Sequence, residues 1–201
     1  MSSPVAVVLL QPGAADWEAG PVLPLLREHL GFAVHTATPA GHPIETIGGL
    51  RLQSDTLFDT ADLAGADVVL LIGSSTWKTF ESPALFDRLR TRVADGGPTG
   101  AICAGTLALA RAGVLDERAH TSNSLEFLTS NAAGYRGGTG YRDVPHAVAD
   151  GPVVTASGLA PVSFACAVAA VAAPGKRDLI DEYWSLARAE FDALPGGLSA
   201  L

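Results

Sequence analysis

The stretch Ala-Ile-Cys-Ala-Gly-Thr, residues 101–106, decides the fold and carries the most reactive side chain in the sequence. It joins a short apolar run to a helix-forming stretch, Thr106 to Ala112, and so predicts a strand, a sharp turn and a helix with Cys103 at the corner. A thiol there lies over a helix N-terminus, where unpaired N–H groups and the helix dipole favour an anion and lower a thiol pKa. The pattern predicts a nucleophile elbow, although Gly-x-Ser-x-Gly is absent. A buried structural cysteine is the alternative, because free cysteines are often buried.

Two further apolar runs place this turn in a larger fold. Val5 to Leu10 and Asp67 to Ile72 are continuous aliphatic stretches, which are typical of strands buried on both faces of a sheet. Helical patterns follow them, over roughly residues 17–30 and near 82–94. Strands that alternate with helices predict an α/β fold with a mainly parallel sheet and helices on both faces. The length of 201 residues fits a single domain over residues 1–201.

The other segments add hairpins and two final helices. Residues 39–60 contain proline and glycine at turn positions and predict a β-hairpin. Residues 148–157 predict two strands around an Asp-Gly turn. Helical patterns near 160–173 and 177–193 end the chain.

Loops that follow the predicted strands hold the candidate site residues, because ligands bind at the carboxyl ends of parallel strands. Glu18 lies in the first loop and can accept the proton of Cys103 or, when protonated, hydrogen-bond to the thiolate. Capping the following helix is the alternative role for this carboxylate. Gly73 and Ser74 lie in the second loop, and their backbone N–H groups, with that of Ala104, can form an oxyanion hole. An ordinary strand-to-helix turn is the alternative there.

A histidine beside the thiol would indicate the reaction class, because cysteine proteases and glutaminases pair a thiol with an imidazole. His120, in Ala-His-Thr-Ser-Asn at 119–123, follows the predicted elbow helix and is the histidine expected to come nearest Cys103. Structural roles are predicted for His29, His35 and His42, whereas His146 can reach the thiol from the long loop before it.

Composition limits the partners and the location of the protein. The formal net charge is −8 and the 13 lysines and arginines are scattered, so no nucleic-acid partner is predicted. The two cysteines, Cys103 and Cys166, lack metal-ligand spacing, so we expect neither a disulfide nor a metal site. The N-terminus lacks a basic signal region and the longest apolar stretch, Phe164 to Pro174, is too short to span a bilayer, which predicts a cytoplasmic protein without membrane contact. Gly-x-Gly-x-x-Gly and Walker sequences are absent, so no cofactor is expected.

As a set, these residues resemble the ThiJ/PfpI superfamily, which is related to class I glutamine amidotransferase domains. The resemblance covers almost the whole chain and is greatest to the bacterial branch labelled type 1 glutamine amidotransferase-like or protease I-like. It rests on six stretches, at residues 5–10, 16–18, 69–77, 101–115, 120–123 and 155–158.

The resemblance implies a flavodoxin-like α/β three-layer sandwich, a homodimer and a cysteine at a strained elbow. It also implies that Glu18 matches the carboxylic acid that hydrogen-bonds the reactive sulfur, and that Ser74 and Ala104 match the backbone donors of an anion pocket. This chain departs from the family pattern in two places. Many relatives have histidine directly after the cysteine, where Ala104 stands here, and the usual Gly-Gly of the second loop is Gly73-Ser74. The histidine partner of the thiol is therefore left open.

Three functional hypotheses follow from the sequence. The first is a cofactor-independent cysteine enzyme, with Cys103 as nucleophile and Glu18 as proton acceptor or donor. Its substrate is a small molecule with a compact electrophilic carbon, such as an α-oxoaldehyde, an isonitrile or a small amide. The second is a cysteine-based oxidative-stress sensor, because an accessible thiolate beside an acid also oxidises readily. The third is a glutamine amidotransferase-like subunit, which requires a histidine near Cys103.

Overall fold

A mainly parallel sheet forms the centre of the protein in a computed structural model that describes residues 3–193. The strands are β1 (Val5–Leu9), β2 (Ala33–Thr38), β3 (Ile44–Glu45), β4 (Arg51–Leu52), β5 (Thr56–Leu57), β6 (Val68–Leu71), β7 (Thr99–Ile102), β8 (Val148–Asp150) and β9 (Val153–Ala156). Seven of them form one sheet in the order β5-β2-β1-β6-β7-β9-β8, in which only the β8–β9 pair is antiparallel. The predicted parallel sheet is confirmed.

Helices cover both faces of this sheet, as predicted. They are α1 (Asp16–Pro24), which continues as a π-helical turn over Leu25–His29, α2 (Pro83–Ala94), α3 (Thr106–Arg111), α4 (Leu125–Asn131), α5 (Pro161–Ala172) and α6 (Arg177–Ala193). One face buries apolar side chains of α1, α5 and α6, including Val22, Phe164 and Ile180. The opposite face buries side chains of α2, α3 and α4, including Leu89 and Leu107. The sheet therefore has a separate apolar core on each side.

The first helix begins without a side-chain cap, and its first acidic residue binds a neighbouring hairpin instead. Ala15 is the N-cap and contributes no side-chain hydrogen bond, although α1 begins at Asp16. The Asp16 carboxylate instead accepts a hydrogen bond of 2.7 Å from the Gly48 N–H, in the turn between β3 and β4. These two strands pair antiparallel, which confirms the hairpin predicted within residues 39–60. Asp16 therefore fastens the hairpin to the start of α1.

The pairing register of the parallel strands brings the loops of the site together. Leu9 of β1 pairs with Leu71 of β6, and Leu71 pairs in turn with Ala101 of β7. Ile102, at the end of β7, pairs with Ala156 of β9. The carboxyl ends of these four adjacent strands therefore lie at one edge, and the loops that follow them converge there. Within the described residues, no helix has both the length and the apolar character needed to cross a bilayer.

Candidate active site

Cys103 occupies a strained turn at the end of β7. Its φ angle is +56°, and it is the only non-glycine residue with positive φ among residues 3–193. Such a conformation costs about 1–3 kcal/mol and persists where the surroundings impose it. The Thr106 hydroxyl donates to the Cys103 carbonyl at 2.6 Å and lies 2.7 Å from the Ser122 hydroxyl, so the turn is held from two sides. The strand, the sharp turn and the helix predicted around Cys103 are all present.

Glu18 reaches this turn from α1 and is fully buried. Its Oε2 atom accepts a hydrogen bond of 2.7 Å from the Gly73 N–H. Its Oε1 atom has no hydrogen-bond partner of standard geometry among the described residues. A Cβ placed on Gly158 would lie 3.0 Å from both Oε1 and the Cys103 sulfur, so these two atoms share one small space. The structure therefore brings the predicted carboxyl to the predicted thiol.

Glycine at position 73 is required for this approach. A Cβ there would lie 2.5 Å from Oε2 of Glu18 and 2.8 Å from Cβ of Cys103. Any side chain at this position would separate the acid from the thiol, because neither contact distance is sterically allowed. Gly73 thus serves the site through its small size and through the N–H that holds Glu18.

Both members of the pair bind their protons more tightly than usual. Burial raises the pKa of Glu18, although the hydrogen bonds with Gly73 and Cys103 oppose the effect. Burial, together with the negative charge of Glu18, raises the pKa of Cys103 to about 11, whereas hydrogen bonds from Asn123 and Ala104 lower it. The sequence predicts a lowered thiol pKa from the helix N-terminus, but α3 spans only Thr106–Arg111. Burial has the larger effect, and the two groups titrate as a pair.

Asn123 is a third polar group at the sulfur, and the sequence analysis did not single it out. Its Nδ2 donates to the Cys103 sulfur at 3.2 Å, and its Oδ1 accepts from the Gly158 N–H at 3.0 Å. The second bond fixes the orientation of the amide, because a backbone N–H requires an oxygen opposite it. The one available signal was its place at the end of the 120–123 stretch that carries the family resemblance.

The predicted oxyanion donors have different roles in the structure. The Gly73 N–H is occupied by Glu18, and the Ala104 N–H is directed to the thiol sulfur. The Ser74 N–H has no acceptor within residues 3–193, while the Ser74 hydroxyl donates to the Pro12 carbonyl at 2.5 Å. Ser74 and Ala104 both line the cavity that contains the thiol. An anion pocket here would therefore rest on these two residues rather than on three.

The His120 side chain does not contact the Cys103 thiol. Its side chain is fully buried, with Nδ1 2.8 Å from the Arg118 carbonyl and Nε2 2.7 Å from the Tyr135 hydroxyl. A carbonyl only accepts, so Nδ1 carries the proton and Nε2 accepts from Tyr135. The ring also packs edge-on against Tyr141, and burial lowers the pKa of His120. Both ring nitrogens are therefore engaged away from Cys103.

The thiol opens into a cavity of about 220 Å³. Its lining comes from α1, from α4 and from five connecting segments: Ala15, Trp17, Glu18, Ile47, Gly73, Ser74, Ser75, Lys78, Cys103, Ala104, Asn123 and Phe127. No histidine belongs to this lining within the described part of the chain. A larger cavity of about 680 Å³ lies at the other edge of the sheet, where Arg88 and Arg92 bind backbone carbonyls. In residues 3–193, no three His, Cys, Asp or Glu side chains are grouped as metal ligands.

Comparison with known proteins identifies the family of the chain. Residues 4–171 match the DJ-1/PfpI family. The chain belongs to the DJ-1/PfpI family. It is 34% identical over 161 residues to the Bacillus subtilis protein named uncharacterized protease YoaZ, covering 77% of this chain and 76% of that protein. A second relative, the glutathione-independent glyoxalase DJR-1.2 of Caenorhabditis elegans, is 29% identical over 114 residues, which is 56% of this chain and 61% of that protein.

Solved structures of the DJ-1/PfpI family share the fold. The DJ-1 superfamily protein Atu0886 from Agrobacterium tumefaciens superposes with a TM-score of 0.79 and 33% sequence identity, over 90% of this chain and 97% of that one. The predicted flavodoxin-like α/β sandwich is thereby confirmed, and the turn at Cys103 fits a nucleophile elbow. Membership of the DJ-1/PfpI family confirms the resemblance drawn from the sequence.

Proposed function

We propose that this protein is a cofactor-independent cysteine enzyme that acts on a small electrophilic carbonyl compound, with an α-oxoaldehyde as the best-supported substrate class. The observation that carries the proposal is the contact of two proton-binding groups in one cavity. Oε1 of the buried Glu18 lies beside the Cys103 sulfur and has no other hydrogen-bond partner among the described residues, and Cys103 itself is on a backbone turn held at a φ of +56°. Strain and unsatisfied polar atoms of this kind concentrate where a protein does chemistry.

The Cys103 and Glu18 pair is suited to adding the thiol to the C=O bond of an aldehyde. The Cys103 sulfur forms a bond to the aldehyde carbon, and the electron pair of the C=O bond moves to the oxygen. Glu18 takes the proton of the thiol and returns a proton to that oxygen, which gives a neutral hemithioacetal. The Ser74 N–H is free to stabilise the negative charge on the oxygen during the addition. An internal shift of hydrogen then converts the hemithioacetal into the thioester of a 2-hydroxy acid. Water cleaves the C–S bond of this thioester, which releases the 2-hydroxy acid and regenerates the Cys103 thiol, with no external oxidant.

The surroundings of the sulfur favour an aldehyde over an amide. Amide hydrolysis requires a group that protonates the leaving amine, and in cysteine hydrolases this group is an imidazole. The side chain that hydrogen-bonds the sulfur is the Asn123 amide, which neither accepts nor supplies a proton, and the described lining of the cavity contains no histidine. The name of the Caenorhabditis elegans relative, a glutathione-independent glyoxalase, supports the same choice. The Bacillus subtilis relative is named a protease, so peptide and amide substrates belong in the test.

Turnover of three substrate classes tests the proposal. Wild type, Cys103→Ser and the control Cys166→Ser are assayed with methylglyoxal, small amides and isonitriles. We expect turnover of methylglyoxal by wild type and by Cys166→Ser, and a loss of at least about a thousandfold in Cys103→Ser, since the nucleophile is removed. Equal rates in the wild type and Cys103→Ser would show that the thiol is not the nucleophile.

A second candidate, a sensor of oxidative stress, is favoured by the polar groups at the sulfur. An oxygen added to Cys103 can accept from the Asn123 amide and meet the unpartnered Oε1 of Glu18. Mass spectrometry after mild peroxide treatment should then find oxygen on Cys103 well before Cys166. Equal oxidation of the two cysteines would exclude a dedicated sensor.

The other expectations stay predictions. A glutamine amidotransferase-like role gains no support from the cavity, whose described lining contains no histidine. The homodimer and the cytoplasmic location implied earlier are to be measured by light scattering and by fractionation.

A further inference from the structure

Lys78 stands in the wall of the Cys103 cavity without a carboxylate partner. The ion pairs within residues 3–193 all use arginines, and none involves Lys78. Among the described residues, Glu18 is the only acidic side chain that lines the cavity. Its carboxyl is buried and accepts a hydrogen bond from the Gly73 N–H, and it forms no ion pair with Lys78. In a chain of net charge −8, this cavity therefore has an unneutralised positive group.

The backbone that carries Lys78 is fixed by a buried arginine. The Arg111 guanidinium donates to the carbonyls of Trp77, Lys78 and Phe80, at 2.7 to 2.9 Å. It also donates at 2.7 Å to the carbonyl of Asn131, at the end of α4. Because Arg111 binds both segments at once, the segment of Lys78 keeps a constant position relative to α4.

The Lys78 side chain is directed along the same wall by an aromatic ring. Its Nζ lies 5.7 Å from the ring centroid of Phe127, a residue of α4 that also lines the cavity. A cation at this distance from an aromatic face is attracted to the ring. Phe127 thereby holds the ammonium group at the cavity without neutralising its charge.

We propose that Lys78 selects substrates that carry an anionic group, a carboxylate or a phosphate, next to the electrophilic carbon attacked by Cys103. The inference rests on the proposed function and adds the charge of the substrate to it. The cavity of about 220 Å³ has the volume of about seven water molecules at ~30 Å³ each, so the substrate is a compact anion. Lys78 binds the anionic end, and Cys103 with Glu18 acts on the carbonyl.

Alkylation of Cys103 by a matched pair of reagents tests the charge preference. Iodoacetate and iodoacetamide have nearly the same size and attack the same sulfur, but only iodoacetate is an anion. The ratio of their rate constants at Cys103, followed by mass spectrometry of its peptide, cancels any change in the thiol itself. We expect this ratio to fall about fivefold in Lys78→Gln and to be retained in Lys78→Arg, the size expected for one exposed charge pair.

Matched controls separate this effect from general electrostatics. Lys176→Gln makes the same change of charge outside the cavity and should leave the ratio at Cys103 unchanged. Added salt should lower the ratio in wild type but not in Lys78→Gln, because salt screens the exposed ammonium. An equal ratio in wild type and Lys78→Gln, with Cys103 reactive to both reagents, overturns the inference alone. A Cys103 that reacts with neither reagent overturns the proposed function as well.

Discussion

Two buried polar regions of the molecule differ in two respects. The thiol site contains Cys103 and Glu18, and the histidine cluster contains His120, Tyr135 and Tyr141. In the histidine cluster both ring nitrogens of His120 have partners at 2.7 and 2.8 Å. In the thiol site an oxygen of Glu18 has no partner of standard geometry, and the backbone of Cys103 is strained.

The difference indicates which region is built for chemistry. Buried polar groups are normally satisfied, and a satisfied network such as that of His120 stabilises a fold. A buried group left without a partner costs free energy, and that cost is retained where the group must bind something else. The thiol site has a buried oxygen with no partner other than the thiol, and it adjoins a cavity. This difference supports the proposal that turnover occurs at the thiol site, whereas we expect the histidine cluster to stabilise the fold.

The largest expected effect is on turnover, in the variant Glu18→Gln. Glutamine keeps an oxygen for the Gly73 N–H but cannot take or return a proton. We expect turnover of methylglyoxal to fall by about 10²–10³-fold, the usual contribution of a general acid–base group. The exposed Glu126→Gln serves as the control and should keep full activity. A rate near that of wild type in Glu18→Gln would show that Glu18 does not transfer a proton during turnover.

The next effect is on stability, in the variant His120→Leu. The change leaves the Tyr135 hydroxyl and the Arg118 carbonyl without their partner in the core. We expect a loss of about 2–6 kcal/mol in the free energy of unfolding, at about 1–3 kcal/mol for each of the two unsatisfied groups. Denaturant titration measures it, with the exposed His146→Leu as control. Turnover per folded molecule should stay within about threefold of wild type, because His120 has no contact with Cys103. A far larger loss would show that His120 takes part in turnover.

Sequence patterns were sufficient for the fold because the central strands are almost completely buried. Val5–Leu9 and Val68–Leu71 are continuous apolar runs, which are typical of central parallel strands buried on both faces. The predicted helix near 82–94 also has a standard start, since the Ser82 hydroxyl caps α2 by accepting from the Leu85 N–H at 3.2 Å. The two-residue strand β5 was missed, because Thr56–Leu57 is too short to show a pattern.

The site was only partly predictable, for a geometric reason. Glu18 and Gly73 were found because each follows a buried parallel strand, and the carboxyl ends of such strands lie at the same edge of the sheet as the end of β7. Asn123 and His120 lie on a segment after α3 that pairs with no neighbouring strand of the sheet. On such a segment the direction of each side chain depends on tertiary contacts, so sequence spacing could not show that Asn123 faces the sulfur while His120 faces Tyr135.

A smaller effect is expected from Asn123→Ala. The change removes the donor to the Cys103 sulfur and the acceptor of the Gly158 N–H. Because the Asn123 hydrogen bond lowers the pKa of Cys103, we expect that pKa to rise and turnover to fall about tenfold, the cost of one charge-assisted hydrogen bond. The pH dependence of iodoacetamide labelling measures the pKa. Asn131→Ala, an amide outside the cavity, is the control, and an unchanged labelling profile in Asn123→Ala would contradict the role.

The smallest expected effect is a pH dependence of stability with opposite signs in the two regions. Burial raises the pKa of Glu18, so the folded state holds that proton more tightly than the unfolded chain. The stabilisation is complete below the ordinary value of 4.5 and is lost as the pH rises through the folded pKa. Glu18→Gln should therefore become more stable than wild type as the pH rises, by about 1.4 kcal/mol for each unit between the two pKa values.

His120 provides the opposite sign within the same protein. Burial lowers its pKa, so its neutral form stabilises the fold above the ordinary value of 6.5, and this contribution is lost as the pH falls through the folded pKa. Unfolding measured against pH should thus show the stability gap between wild type and His120→Leu narrowing in acid, while the gap between Glu18→Gln and wild type widens toward alkaline pH. If the stability of wild type relative to each of the two variants changed in the same direction with rising pH, the pKa values of Glu18 and His120 could not be shifted in the opposite directions that burial gives them.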